Sequence, residues 1–287
     1  MGGGFYSSRK RAIRSESLGY TTKSAKEIFT SRNVNSEMNP SGVTLRESRD
    51  SADHPNSVPV IIGLDVTGSM GSIPHFLVKE GLPQMMQKII DNGVPDPQVL
   101  FLGIGDHECD QAPLQVGQFE SSDALLDHWL TKLWIEGGGG GNVGESYHLA
   151  WFFASRYTSI DSFEKRGKKG ILITIGDEPV LPDLDLRYQK KLMGDGQYSN
   201  VTSAELLDKA REQYEVFHLH LLQGAGSSQR VKDGWTQLLG DNVLFVQRRE
   251  EVADVIANKV VEVASATGTV TAPVAPVVAD TDGDMML

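Results

Sequence analysis

Asp65, Thr67 and Ser69 stand at alternate positions directly after an apolar run, within VPVIIGLDVTGSMG at residues 58–71. One carboxylate and two hydroxyls on a tight loop make three hard oxygen donors. Such a set suits a small hard cation, Mg2+ or Mn2+. A plain turn in which Ser69 caps the next helix is the simpler reading. Three oxygen side chains in alternation after a buried run favour the cation. Other donor clusters carry less. Asp106, His107, Cys109 and Asp110 lie together in GDHECD at 105–110. Without a second His or Cys cluster they read as a turn rather than a tetrahedral zinc site. Glu145 and His148 form E-x-x-H, but the matching pairs that a di-iron bundle needs are missing. His218 and His220 alternate with apolar residues and share one strand face, packed against a helix. G-x-x-x-x-G-K-S/T is absent, so the nucleotide-hydrolysing phosphate loop is not expected.

These residues need elements to hold them. Strands are predicted at 58–64, 98–104, 114–119, 170–175, 216–222 and 243–247. Helices are predicted near 73–92, 122–134, 145–157, 202–214, 230–239 and 250–266, with Pro83 kinking or interrupting the first. Alternating strand and helix implies an α/β fold, doubly wound on a mainly parallel central sheet. The short polar turn before 114–119 makes that strand an antiparallel edge. In open sheets of this kind ligands bind beyond the carboxyl ends of the strands. Asp65 and Asp177 both end strands, and the glycine run at 137–141 leads into the 145–157 helix, so the three are expected on one rim.

The chain resembles a von Willebrand factor A (VWA) domain over about 58–266. The family's metal ion-dependent adhesion site opens with Asp-x-Ser/Thr-x-Ser after the first strand. It continues with a Gly-rich loop carrying a Thr and an Asp after a later strand. GGGGGNVGES at 137–146 is similar to that loop, and GILITIGDEP at 170–179 ends in Asp177. There is a departure: Gly141 stands where the coordinating Thr is usual, and Asn142 is the nearest oxygen donor. The VWA modules found with alpha-kinases are the closer match. They too run Gly-Gly-Gly, then a polar residue and a Glu, and carry Arg-Asp-x-Cys-Asp where this chain has GDHECD. The resemblance implies a Rossmann-like fold and a Mg2+ or Mn2+ ion held by Asp65, Thr67, Ser69, Asn142 and Asp177. Glu145 caps the helix or holds a coordinated water. A cation given so few charges keeps an open position, which a protein partner's Asp or Glu fills. Binding rather than catalysis is implied, in the manner of stand-alone prokaryotic or phage VWA adaptors beside MoxR-type AAA+ ATPases.

Composition narrows the setting. The 287 residues carry a net charge of −11, yet residues 1–57 hold nine Lys/Arg against six Asp/Glu. An extended basic N-terminal arm (1–57) with one short helix over 21–31, a VWA domain (58–266) and a disordered acidic tail (267–287) are expected. The acidic body argues against nucleic acid and anionic membranes as partners. A single cysteine, no leader-like start and no long apolar segment point to the cytoplasm. Two rival readings stand beside the adhesion site. One is a VWA fold with a degenerate site that acts through its arm. The other is a phosphatase of haloacid dehalogenase type, in which Asp65 of DVTGS forms an aspartyl phosphate. That rival lacks the second Asp, since Thr67 occupies its place, and leaves the glycine run unexplained.

Overall fold

The computed structural model describes residues 4–68, 70–137 and 143–270. Ser69, Asn142 and residues 271–287 of the expected tail lie outside the described residues. In chain order the strands are β1 (Arg46–Ser48), β2 (Ser57–Asp65), β3 (Asp96–Ile104), β4 (Leu114–Val116), β5 (Thr158–Ile160), β6 (Gly170–Gly176), β7 (Asp183–Leu184), β8 (Val201–Thr202), β9 (Tyr214–Leu221) and β10 (Val243–Val246). The α-helices are α1 (Ser8–Leu18), α2 (Ala25–Ile28), α3 (Ser72–Phe76), α4 (Leu82–Asp91), α5 (Asp123–Thr131), α6 (His148–Tyr157), α7 (Asp161–Glu164), α8 (Leu186–Met193), α9 (Ser203–Arg211), α10 (Gln229–Leu239) and α11 (Val252–Ala266).

Six strands form the central sheet in the order β10-β9-β6-β2-β3-β4. All neighbours are parallel except β3 and β4. This is the expected doubly wound, mainly parallel sheet with one antiparallel edge strand. From β2 the chain builds outward through β3 and β4. It then returns to β2's other side for β6, β9 and β10. The order therefore reverses between β2 and β6, the place where such sheets hold ligands. β4 is shorter than the predicted 114–119. Its register changes by one residue between the Leu102–Val116 and Val99–Glu120 pairings, which is a bulge around Gly117.

Strand alternation divides the interior into two cores. Val60, Ile62 and Leu64 of β2 join Ile171, Ile173 and Ile175 of β6 under α4 and α11. Ile61 and Leu172 point the other way, into a core with Trp151, Phe152 and Trp235 from α6 and α10. β2 is buried along its whole length. This is why it reads as an unbroken apolar run. The predicted 73–92 helix is three pieces, with a π-helical turn at Leu77–Gly81 between α3 and α4. Pro83 sits in the first turn of α4, where its missing N–H is harmless. The wider turn before it absorbs the bonds that a continuous α-helix would lose.

Residues 4–57 depart from the expected extended arm. α1 lies in it, capped by the Ser7 side chain and ended by Gly19 at φ 66°. No apolar stripe marks this helix in the sequence, because the residue it buries is Arg11. The predicted 21–31 helix shrinks to α2. Arg11 pairs with Asp127 of α5 and donates to the Val78 carbonyl, while Tyr20 donates to Asp127 at 2.8 Å. Farther along, β1 pairs in parallel with β5. Arg49 reaches Asp161 and Glu164, each at 2.8 Å. The arm is thus clamped to the domain by buried and half-buried ion pairs.

Asp127→Ala leaves Arg11 buried without its counter-ion and Tyr20 without its acceptor. A loss of about 3–5 kcal/mol in denaturant unfolding is expected. Asp254→Ala, which breaks the exposed Lys88–Asp254 pair, should cost less than about 1 kcal/mol.

Candidate functional site

Asp65 ends β2 at the point where the sheet order reverses, and only 1% of it is exposed. Its Oδ1 accepts from the Thr67 backbone N–H at 2.9 Å and from Thr67 Oγ1 at 2.5 Å. Its Oδ2 accepts from the Tyr147 hydroxyl at 2.8 Å. Burial drives the Asp65 carboxyl up to about 7, against the opposing pull of these hydrogen bonds; the nearby Asp177 charge adds to the rise. Asp177 follows β6 and is equally buried. Of the five expected ligands, Asp65, Thr67 and Asp177 are described and lie on one rim. Ser69 and Asn142 lie outside the described residues.

Tyr147 carries no motif signature. It approaches Asp65 across the end of β6, and that path exists because residue 176 is glycine: a Cβ there would lie 1.8 Å from the Tyr147 hydroxyl oxygen. The ring is held by edge contacts with His218 and Trp235. Its hydroxyl also lies 3.4 Å from the Glu178 N–H that donates to it. The Gly-Asp pair at 176–177 was the available sequence signal for a close approach. Nothing in the sequence said which side chain would make it.

The loop entering α6 is tied to the Asp177 loop by backbone. Glu145 N donates to the Pro179 carbonyl at 2.9 Å, and Leu181 N donates to the Glu145 carbonyl at 3.0 Å. Glu145 is 5% exposed, and its Oε2 has no hydrogen-bond partner among the described residues. Burial, followed by the charges of Asp65, Asp110, Asp106 and Glu178, lifts this carboxyl to about 9. Its side chain does not cap α6; it stands among carboxylates.

GDHECD forms the turn expected of it, beside the rim. Asp110 Oδ2 accepts from the Asp106 N–H at 2.7 Å, and Asp106 Oδ1 from the Glu108 N–H at 2.8 Å. Ser146 Oγ accepts from the His107 N–H at 2.9 Å and lies 2.7 Å from His107 Nδ1, which joins this turn to the α6 loop. His148 is fully buried, and desolvation lowers it to about 3, so it is a neutral packing residue. His218 stacks on Trp235 at 3.6 Å between centroids, as a strand histidine packed under a helix. Among the described residues no three His, Cys, Asp or Glu side chains converge closely enough to hold a metal ion. A cation here therefore depends on hydroxyl and water oxygens beside two carboxylates. That donor set fits a hard divalent ion.

No protein-family model matches the chain, and no curated protein sequence matches it. Solved structures give remote likenesses. One is the pilus adhesin SpaC from Lactobacillus rhamnosus GG in its open conformation, 11% identical over 77% of this chain and 31% of that one, at a TM-score of 0.49. Another is proximal thread matrix protein 1 from the mussel byssus with a zinc-occupied MIDAS motif, 13% identical over 72% and 48%, at 0.40. A third is a von Willebrand factor type A protein from Catenulispora acidiphila, 14% identical over 72% and 43%, at 0.37. The chain spans between 31% and 48% of the length of these three.

The Glu145 carboxyl rises from its ordinary 4.5 to about 9 on folding. The folded state therefore holds this proton more tightly than the unfolded state does. In EDTA its contribution to stability is complete below about pH 4.5. It falls by up to about 1.4 kcal/mol per pH unit as pH rises toward 9. Glu145→Gln should remove that part of the slope in urea unfolding measured across this range.

Proposed function

We propose that this chain is a divalent-cation-dependent protein-binding module. Asp65, Thr67 and Asp177, completed by Ser69 and Asn142, would hold Mg2+ or Mn2+ on the rim. The observation that carries this reading is the burial of the Asp65 carboxylate beside Asp177 and Glu145. The charged groups that bear most on Glu145 are all carboxylates. Packing like charges together in a desolvated rim is unfavourable unless protons or a cation offset them. The bound ion would supply an electrophilic centre with an open position for one further oxygen.

This chain's own residues set up that centre. Thr67 and Tyr147 fix the orientation of Asp65 from two sides. The backbone ties between Glu145, Pro179 and Leu181 keep the Asp177 loop beside the α6 loop. An Asp or Glu side chain of a partner protein is the ligand suited to the remaining position, through a charge-assisted contact. We read the module as an adaptor, with a MoxR-type AAA+ ATPase as the kind of machine it serves, working in the cytoplasm and not as an enzyme. Among the described residues no helix is long and apolar enough to cross a membrane. The aspartyl-phosphate alternative fares worse. Thr67 occupies the place of the second Asp that this chemistry needs, and its hydroxyl donates to Asp65 instead.

Cation binding to the folded state alone raises its stability. At about 100 times the dissociation constant the gain is about 2.7 kcal/mol, a rise of several degrees in Tm. Wild type should show this rise on adding Mg2+ and lose it in EDTA. Asp65→Ala should stay folded by circular dichroism and show no rise. Passing host lysate over the immobilised protein should retain a partner in Mg2+ but not in EDTA, and not on Asp65→Ala. An equal thermal shift in the variant would sink the reading.

A further inference from the structure

A groove of about 540 Å3 opens beside the rim, between α10 and the segment after Asp177. Val143, Pro179, Val180, Trp235 and Leu238 supply apolar wall, and Arg230 is the charged side chain among its lining residues. Its volume lies within the range of about 300–1,000 Å3 that suits a bound ligand or peptide segment. Val143 is one of the large apolar side chains left exposed. An apolar surface of this kind beside a binding rim marks an interaction site.

The chain carries a segment whose chemistry matches. Residues 272–279 read APVAPVVA, and Asp280, Asp282 and Asp284 follow. Pro and Val recur with Ala along it, a composition whose apolar side chains and low conformational entropy suit an apolar groove. The three aspartates complement Arg230.

Direction and reach agree as well. Residues 267–269 sit at the base of the sheet. Thr267 and Thr269 line a small cleft with Ser57 and Pro59 at the start of β2, and Lys168 Nζ bonds the Gly268 carbonyl at 3.1 Å. α10 follows β9, so it runs back down the sheet with Arg230 at the rim end and Leu238 toward the base. These two lie about 12 Å apart along the helix. A segment rising from the base meets Leu238 and Trp235 with its apolar part first, and Arg230 with its aspartates last. That is the order in which the sequence presents them. The fourteen residues from 271 to Asp284 reach about 46 Å. Climbing the height of β2 takes about 27 Å, and crossing one layer takes about 10 Å more.

We propose that this groove docks the chain's own 272–284 segment, with its Pro/Val run on Trp235 and Leu238 and its aspartates toward Arg230. Tethering supplies a high effective concentration, so even a weak contact is populated. This placement does not depend on a bound cation.

The test replaces Val278 in the full chain with the photo-reactive p-benzoylphenylalanine and irradiates it in EDTA. Crosslinked peptides are then mapped by mass spectrometry. The expected result is a crosslinked monomer joined to residues within 229–239 or 179–182. Arg230→Glu should lower that yield several-fold while the circular dichroism spectrum stays unchanged. Adding Asp280→Lys, Asp282→Lys and Asp284→Lys to that variant should restore it. Crosslinks confined to other surfaces, crosslinked dimers in place of monomers, or a yield indifferent to Arg230→Glu would each overturn the proposal.

Discussion

The rim of this molecule is arranged around one carboxylate, that of Asp65, held out of reach of water. An isolated buried carboxylate is strongly disfavoured, so its surroundings must be built to receive it. Thr67 supplies two donors from the same loop, and Tyr147 supplies the third from a segment 82 residues away. Tyr147 fits because residue 176 lacks a side chain. Its ring is then set by His218 and Trp235. Satisfying a single acid thereby fixes how the ends of β2 and β6, the start of α6, and α10 meet.

The same face of the sheet holds a line of neutral polar groups. A carbonyl can only accept, so at 3.0 Å from the Gly226 oxygen His220 carries its proton on Nε2. His220 Nδ1 then accepts from His218 Nε2 at 3.4 Å, and His218 Nδ1 from the Thr174 hydroxyl at 2.9 Å. Desolvation lowers the proton affinity of both rings, which keeps the line in one direction. It ends on the turn beside Asp177. There Gly226 packs so tightly that a Cβ would lie 2.2 Å from the Leu221 carbonyl oxygen. Sheet interior and rim are joined by hydrogen bonds as well as by apolar packing.

Much of this could be read from the sequence, and the reasons divide cleanly. The parallel strands of the central sheet were legible because such strands, buried on both faces, tend to be continuous apolar runs, and β4 because a short polar turn precedes it. That Asp65 and Asp177 share a rim was legible because each closes such a run, where topology alone brings strand ends together. Tyr147 and Gly176 were not, since their relation is a long-range fit that no local pattern encodes. α1 escaped because periodicity detects apolar stripes, and its anchor is the Arg11–Asp127 pair. The short strands β1, β5, β7 and β8 are too brief to carry a period. His218 and His220 were legible as sharing one face, and their role as a hydrogen-bonded relay was not.

The register of β2 also bears on how the chain is made. Its partners come from both directions in the sequence. β3 follows closely, but β6 joins only when Ile171 meets Val60. Asp50, just before β2, is held by Arg166, 116 residues later. Contacts of such separation form slowly, because a long loop must close before they can stabilise anything. During synthesis a strand that is buried along its whole length in the fold therefore emerges long before the neighbour that covers its second edge. Until β6 arrives, that edge is open to pairing with other chains. The nascent chain carries that open edge over the interval between residues 65 and 170, and Asp65 and Asp177 come together only after that interval ends.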